Sequence, residues 1–466
     1  MASAGTTPTI VVTGETVDGA AQVTASIRVG LANVGCKLNS YEVEAFKYDL
    51  DQRGFEIVPF DAEADVYVVN TCTVTGSGDA DSRKLVRRAG RRNPDAAVVA
   101  TGCYAQRRPE ELEAAGADLI VGNGDKAALV DRLQQHLAGT APTTDFSRPP
   151  RTETFLSIDG MVEKGRTRGT LQIQDGCGEH CTYCIIPSVR GDGVSRDPGE
   201  TVAQARRMVA AGYRELALTG VHSGSYGHDR GETNGLVALL QKLETIDGLE
   251  RIRLNSVEPG YVTDELIDYA TSSQRFCRHF HIPLQSGDDR TLRRMGRHYS
   301  GAYFAARVEQ IASLIPDCCI GTDVMVGFPG ESDAEFASSR DLLERLPLAY
   351  LHVFSYSSRS GTPAARLREH HPAATRKERS ASLVALGERK RLSFHRRFVG
   401  RRLEILAEDR HDKGSGLQVG MTDNYIKVLF DDSSVGANET ATVEVTAARE
   451  QLVLGEVVAT ARPKVG

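Results

Sequence analysis

The sequence predicts a mixed α/β protein in three parts: an N-terminal parallel α/β domain, a central incomplete (β/α)6 barrel and a small C-terminal antiparallel β-barrel. Three observations carry that prediction. The chain has 466 residues, about three times the usual length of one domain. From Ile27 to about Phe398, short β-branched runs alternate with polar stretches long enough for helices, the pattern of parallel sheets. Beyond Phe398 the runs shorten and Gly, Asp and Asn turns separate them, the pattern of a small closed sheet.

Taken in order, residues 1–25 are rich in Thr, Ala and Gly without periodicity and read as a flexible extension. Residues 26–138 form the first domain, with strands in IRVGLANV (27–34), VYVVNTCTV (66–74), AAVVATGC (96–103) and ADLIVGN (117–123). Residues 139–160 read as a linker, since Gly139 to Arg151 hold three prolines and three threonines. Residues 161–396 carry six strand candidates: GTLQIQD (169–175), ELALTG (215–220), RIRLNS (251–256), RHFHIP (278–283), IGTDVMVGF (320–328) and AYLHVFSY (349–356). Six units fit an open barrel rather than the closed eight-unit form. Residues 397–466 supply the short strands of the last domain.

Composition excludes several classes. Forty per cent hydrophobic residues, 45 glycines and 17 prolines rule out wholesale disorder and collagen-like structure. A net charge of −6 removes bulk basicity as a means of holding nucleic acid, so any such surface is local. Neither a membrane-spanning apolar run nor a signal peptide is visible, and a cytoplasmic location is expected. Nine cysteines are too sparse for a disulfide scaffold and point instead to metal binding or catalysis where they cluster.

They cluster twice. Cys177, Cys181 and Cys184 form C-x3-C-x2-C in DGCGEHCTYCIIPSVRG, just after the first strand of the second series. Zinc would want a fourth protein ligand, for which only His180 is near, at a strained spacing. An iron–sulfur cluster with one iron left free for a small molecule suits three thiolates better. Cys36, Cys72 and Cys103 are far apart in sequence, yet each closes or follows a predicted strand of the first domain. In a parallel sheet those ends share one edge, where ligands gather. Buried core cysteine is the plainer reading for any one of them, less so for all three. Cys277, Cys318 and Cys319 show no such placing and read as core thiols.

With Tyr183 before its last cysteine, the C-x3-C-x2-C motif resembles that of radical S-adenosylmethionine (SAM) enzymes. The upstream three-cysteine domain and C-terminal barrel resemble the methylthiotransferases among them. VVNTCTVT, LTGVHSGSYG, HFHIPLQSG, VGFPGES and FSYSSRSGTPAA look most like the branch that converts N6-threonylcarbamoyladenosine in tRNA, next to the anticodon, to its 2-methylthio form. The resemblance spans about residues 27–460 and makes the last domain TRAM-like. It implies two 4Fe-4S clusters, held by Cys177, Cys181 and Cys184 and by Cys36, Cys72 and Cys103, with SAM on the open iron of the first. Around SAM it places Tyr183, Thr219, Gly220, Ser256, Gln285, Gly327, Phe328 and Pro329. Val221-His222 stand where many relatives of the superfamily have a glutamate, so contact with the methionine amino group there rests on backbone. The implied partner is tRNA; the sulfur and electron donors are not identified. Sister activities on N6-isopentenyladenosine or a ribosomal-protein aspartate are rivals, as is a non-catalytic iron–sulfur RNA-binding regulator.

Two basic segments qualify as phosphate contacts. Arg83, Arg87 and Arg91 repeat at four-residue spacing beside Lys84, Arg88 and Arg92, which is expected to put six cations on one side of a helix. From Arg366 to Arg402 twelve Lys/Arg face three Glu, with Arg389 and Arg391 at the centre. Arg293, Arg294 and Arg297 are candidates to meet a substrate carboxylate, with a solvated helix face as the equal alternative. His279 and His281 share a strand face that suits metal, although a hydrogen-bonded barrel pair is the plainer reading, and neither is given a catalytic role.

Overall fold

The computed structural model describes residues 26–140, 144–145, 154–158, 167–431 and 434–460, so the extension and most of the linker lie outside the described residues. The chain divides into two compact units, Met1–Ile158 with Ile185–Asp192, and Asp159–Cys184 with Gly193–Gly466. The excursion of Ile185–Asp192 into the first unit is not legible in the sequence pattern.

In the first unit, β1 (Arg28–Asn33), β2 (Glu56–Val58), β3 (Val66–Thr71), β4 (Ala97–Gly102), β5 (Leu119–Val121) and β6 (Thr144–Asp145) form a sheet in the order β2-β1-β3-β4-β5-β6. Every pairing is parallel. All six residues of β3 are buried, as both faces of a parallel sheet are covered. The helix Gly76–Arg92 begins where the Thr75 hydroxyl accepts the Gly78 N–H, and packs Val86 and Ala89 into the same core as Val69 and Ala100. β2 escapes the sequence reading because three residues are too few for a period.

In the second unit, β7 (Arg168–Gln172) is followed by the short antiparallel pair β8 (Gln174–Asp175) and β9 (Val194–Ser195). β10 (Glu215–Thr219), β11 (Arg251–Leu254), β12 (His279–His281), β13 (Cys319–Val326) and β14 (Tyr350–Ser355) complete the six strands expected. They form two parallel three-stranded sheets, β7-β10-β11 and β12-β13-β14, linked by single bridges Ile252↔Phe276 and Ser256↔His281. Alternation sorts their side chains. Leu171, Leu216, Leu218, Ile252, Phe280 and Ile320 face the helices, sharing a core with Leu240, Phe304, Val308 and Leu343. Glu215, Thr219, Arg253, His279, His281 and Asp323 therefore point to the inner face.

β15 (Arg402–His411), β16 (Gln418–Thr422), β17 (Lys427–Phe430), β18 (Thr440–Ala448) and β19 (Val453–Thr460) close into a barrel in the order β15-β16-β17-β19-β18. The expectation of a wholly antiparallel barrel is corrected at one seam, where β17 and β19 run parallel. Five strands in a ring cannot alternate direction throughout. This barrel is fastened to the six-stranded one by buried arginines. Arg253 donates to the Thr422 and Asp423 carbonyls, each at 3.0 Å, and Arg251 to the Met421 carbonyl at 2.9 Å. Among the described residues no helix is long and apolar enough to cross a membrane.

Candidate cluster and cofactor sites

β1, β3 and β4 are neighbours, and Cys36, Cys72 and Cys103 follow their carboxyl ends, Cys72 and Cys103 directly and Cys36 after two further residues. Their partial charges act on one another: burial pushes the Cys72 thiol up to about 11, and Cys103 and Cys36 both add to that rise. Glycines keep the space around the Cys72 sulfur clear. A Cβ on Gly35, at φ +102°, would fall 2.7 Å from it, and one on Gly78 would fall 3.4 Å away.

Cys103 is also touched by a cation. Arg190 donates Nε–H to its sulfur at 3.2 Å, Nη1–H to Glu42 Oε1 at 2.9 Å and Nη2–H to Asn39 Oδ1 at 2.9 Å. Lys126 Nζ reaches the same Glu42 oxygen at 2.5 Å, and all three charged side chains are almost wholly buried. Burial raises the Cys103 pKa and the Arg190 charge opposes it. Sequence reasoning missed Glu42, Lys126 and Arg190. Arg190 sits six residues after Cys184, but its partners are distant in the chain and no local pattern marks it.

Burial likewise lifts Cys177 to about 12, with Cys184 and Cys181 adding to the rise, while the Glu179 N–H works against it. Thr182 N–H donates to the Met295 carbonyl and Ala364 N–H to the Thr182 carbonyl, each at 2.9 Å, so the cysteine loop is held from two sides. The Glu179 carboxylate accepts from Tyr261 at 2.8 Å and lies 3.5 Å from His222 Nε2. The His222 contact, opposed by burial and reinforced by Tyr261, holds Glu179 down to about 2. A cavity of about 650 Å³ borders this loop, lined among others by Glu179, Glu258, Tyr261 and Arg297.

The donor chemistry fits iron–sulfur clusters. Among the described residues neither cysteine triplet has all three sulfurs within 4.8 Å of one another. A single zinc with bonds near 2.3 Å would draw them to roughly 3.8 Å. Three cysteines per site at wider spacing, with glycine clearance at Cys72, suit a larger polynuclear group.

The other expected residues are placed as follows. Thr219 ends β10, and a Cβ on Gly220 would come within 2.9 Å of Gln174, whose Oε1 accepts the His222 N–H at 2.7 Å. Ser256 is exposed and bridges His281 on the neighbouring strand. Gln285 adopts φ +68° and exchanges backbone bonds with β13. Gly327, at φ +69°, leaves room for Arg376, since a Cβ would meet its side chain at 2.4 Å. The Gly327 N–H donates to Glu331, which Arg379 also holds. Pro329 is buried, and Phe328 has no exposed surface. Phe328 packs edge-on against Tyr183, the residue before Cys184, with ring centroids 6.3 Å apart.

The basic segments are also revised. Arg83 bonds Tyr104 and Glu111, and Arg88 and Arg92 share Asp61, leaving Lys84, Arg87 and Arg91 exposed on the helix. In the second segment Arg379 is buried on Glu331, Lys390 donates to the Glu344 and Leu346 carbonyls, and Arg397 and Arg401 bind Asp317. Arg391 lies over the Tyr350 ring and bonds Gln451. Arg389 is exposed, 3.7 Å from Glu344. Arg294 is taken by Glu335 and Arg297 by Glu258, so neither stands free for a substrate carboxylate. Charge counting along a sequence cannot see these intramolecular partners.

A six-stranded open barrel with a three-cysteine loop after its first strand defines a radical SAM enzyme, and residues 171–343 match the model of the radical SAM superfamily. Residues 28–122 match a second model, described as uncharacterized protein family UPF0004. The threonylcarbamoyladenosine tRNA methylthiotransferase MtaB of Bacillus subtilis is 40% identical, over 86% of this chain and 90% of its own. That of Aquifex aeolicus is 37% identical, over 86% and 96%. The tRNA-2-methylthio-N(6)-dimethylallyladenosine synthase of Desulfitobacterium hafniense is 31% identical, over 85% and 90%. Among solved structures, the radical SAM methyltransferase TsrM of Kitasatospora setae shares the fold, with TM-score 0.55, 15% identity and coverage of 73% of this chain and 74% of that one. The chain belongs to the radical SAM methylthiotransferase family. Its cofactors are SAM and two 4Fe-4S clusters.

Proposed function

We propose that the protein converts N6-threonylcarbamoyladenosine next to the anticodon of tRNA to its 2-methylthio derivative, in the cytoplasm. The observation that carries this reading is the 40% identity, nearly end to end, with the Bacillus subtilis enzyme of that name, against 31% for the dimethylallyladenosine synthase of Desulfitobacterium hafniense. When bound, the cofactors supply hydrogen abstraction from an unactivated C–H bond, a sulfur source and a methyl donor, chemistry beyond any side-chain acid or base at neutral pH.

The chain's own residues then bind and orient. Cys177, Cys181 and Cys184 hold the SAM-binding cluster and Cys36, Cys72 and Cys103 the second one. The raised thiol pKa values of Cys72, Cys103, Cys177 and Cys181 mean that cluster binding there displaces protons. Tyr183, Thr219, Gly220, Ser256, Gln285, Gly327, Phe328 and Pro329 shape the SAM site, in part through backbone groups. Arg83, Arg87 and Arg91, with Lys84, offer charge to phosphates from the helix Gly76–Arg92 of the first unit, and Arg389 and Arg391 do so from the second.

Incubation of reconstituted enzyme with tRNA bearing either the threonylcarbamoyl or the isopentenyl base, followed by mass spectrometry of nucleosides, tests the substrate. Product from the threonylcarbamoyl tRNA alone is expected; product only from the isopentenyl tRNA, or only from a ribosomal protein, would refute it. Iron analysis tests the sites: replacing either triplet with alanine leaves about half of roughly eight irons per chain.

A further inference from the structure

Three neighbouring strands of the six-stranded barrel bring together two imidazoles and a carboxylate that take no part in the cysteine sites assigned above. Asp323 on β13 pairs in register with His352 on β14, and His281 on β12 pairs with Gly321, two residues before Asp323. The spacing of two keeps all three on the inner face. His281 Nε2 lies 3.0 Å from Asp323 Oδ1, and His352 Nδ1 lies 3.3 Å from the same oxygen. Their donor atoms all fall within 4.8 Å of one another, the only such group of three among the described residues.

We propose that His281, Asp323 and His352 bind one zinc-class divalent cation, through His281 Nε2, an Asp323 carboxylate oxygen and His352 Nδ1. Bonds of about 2.0–2.2 Å in a tetrahedral site set ligand atoms roughly 3.3 Å apart, and the two contacts to Asp323, at 3.0 and 3.3 Å, are close to that length. Two imidazoles and one carboxylate are a borderline donor set that favours zinc, cobalt or iron over magnesium or calcium.

The surroundings orient the ligands. The Tyr350 hydroxyl lies 3.0 Å from His281 Nδ1 and 2.9 Å from His279 Nε2. A partner on Nδ1 fixes the His281 ring and leaves Nε2 for an ion, the arrangement usual around metal-bound histidine. His279 thus belongs behind the site, not in it. His352 is half exposed and lines a cavity of about 290 Å³ with Tyr350, Arg391, Tyr425 and Lys427. Through His352 the site borders that cavity, where Arg391 and Lys427 would favour an anionic oxygen as a further ligand over a neutral one.

Titrating cluster-loaded enzyme anaerobically with Co²⁺, then with Zn²⁺ as competitor, tests the site independently of turnover. The expected result is one Co²⁺ per chain beyond the cluster iron, with ligand-field bands of a nitrogen and oxygen site, displaced by Zn²⁺. Affinity should fall at least tenfold in both H352Q and D323N. His352 is half exposed, so H352Q keeps the test valid should D323N misfold. The proposal is overturned if cluster-loaded wild type takes up no such Co²⁺, if its bands are those of thiolate ligation, or if H352Q binds as tightly as wild type.

Discussion

The Arg190 guanidinium stands 3.2 Å from the Cys103 sulfur through Nε, with its other nitrogens fixed by Glu42 and Asn39. A buried cation so placed favours the thiolate over the thiol, and a more negative cluster over a less negative one. Replacing Arg190 with Met is expected to lower the reduction potential of the cluster proposed for Cys36, Cys72 and Cys103 and to weaken its retention by about 10–100-fold, a usual cost for losing an outer-sphere partner. Arg190→Lys restores charge without the three-way fork and should recover only part of the loss. Protein-film voltammetry and iron retention after gel filtration check both; an unchanged potential in Arg190→Met would show the contact to be structural only.

The distribution of such residues explains what was legible in the sequence. Strand runs, the C-x3-C-x2-C loop and the strand-end positions of Cys36, Cys72 and Cys103 are local patterns, and the structure has each where the pattern puts it. Arg190, Glu42 and Lys126 belong to one buried network but lie up to 148 residues apart, and a single buried arginine looks like any other in a sequence. The same holds for Asp323 and His352, which meet only through the register of β13 and β14. In the opposite direction, the basic run from Arg366 to Arg402 is conspicuous in the sequence yet largely spent on Glu331, Asp317, backbone carbonyls and Tyr350.

Arg253 and Glu215 form a pair on the barrel's inner face, 2.6 Å apart and almost wholly buried, and Arg253 also holds the C-terminal barrel through two carbonyls. Arg253→Met removes the hydrogen-bonded partner of Glu215, leaving it only Arg251 at 3.9 Å, and should destabilise the unit by about 3 kcal/mol, the low end for breaking a buried pair. Arg253→Met combined with Glu215→Leu should cost less than Arg253→Met alone, because the orphaned charge is gone. Denaturant unfolding of both variants measures this, and equal losses would place the energy in the carbonyl contacts alone.

Acid should loosen the contact between the two barrels of the second unit. Asp423 takes both Arg278 nitrogens, at 2.6 and 3.0 Å. Burial raises its pKa, but the Arg278 hydrogen bonds and charge prevail and the net shift is downward. A carboxyl depressed in the folded state stabilises fully above its unfolded value, near 3.9, and loses that contribution as pH falls below it. Asp423→Asn should therefore cost about 2 kcal/mol at pH 7, with a constant gap to wild type between pH 7 and 5 that narrows below about pH 4. Thermal unfolding across that range decides it; a gap independent of pH would remove the charge from the explanation.

The helix Gly76–Arg92 offers a sharper test of tRNA contact than its six cations suggest. Lys84, Arg87 and Arg91 are exposed, whereas Arg88 and Arg92 share Asp61 and Arg83 is engaged by Glu111 and Tyr104. Phosphate contacts release counterions, so each one lost lowers the slope of log K against log salt by about 0.7–0.9. Arg87→Glu with Arg91→Glu should thus weaken tRNA binding and flatten the slope by roughly 1.5, leaving iron content unchanged. Arg88→Gln, whose side chain is already paired with Asp61, should alter the slope by less. Filter binding at several salt concentrations measures all three quantities, and equal slopes in the double variant and wild type would assign this face to solvent.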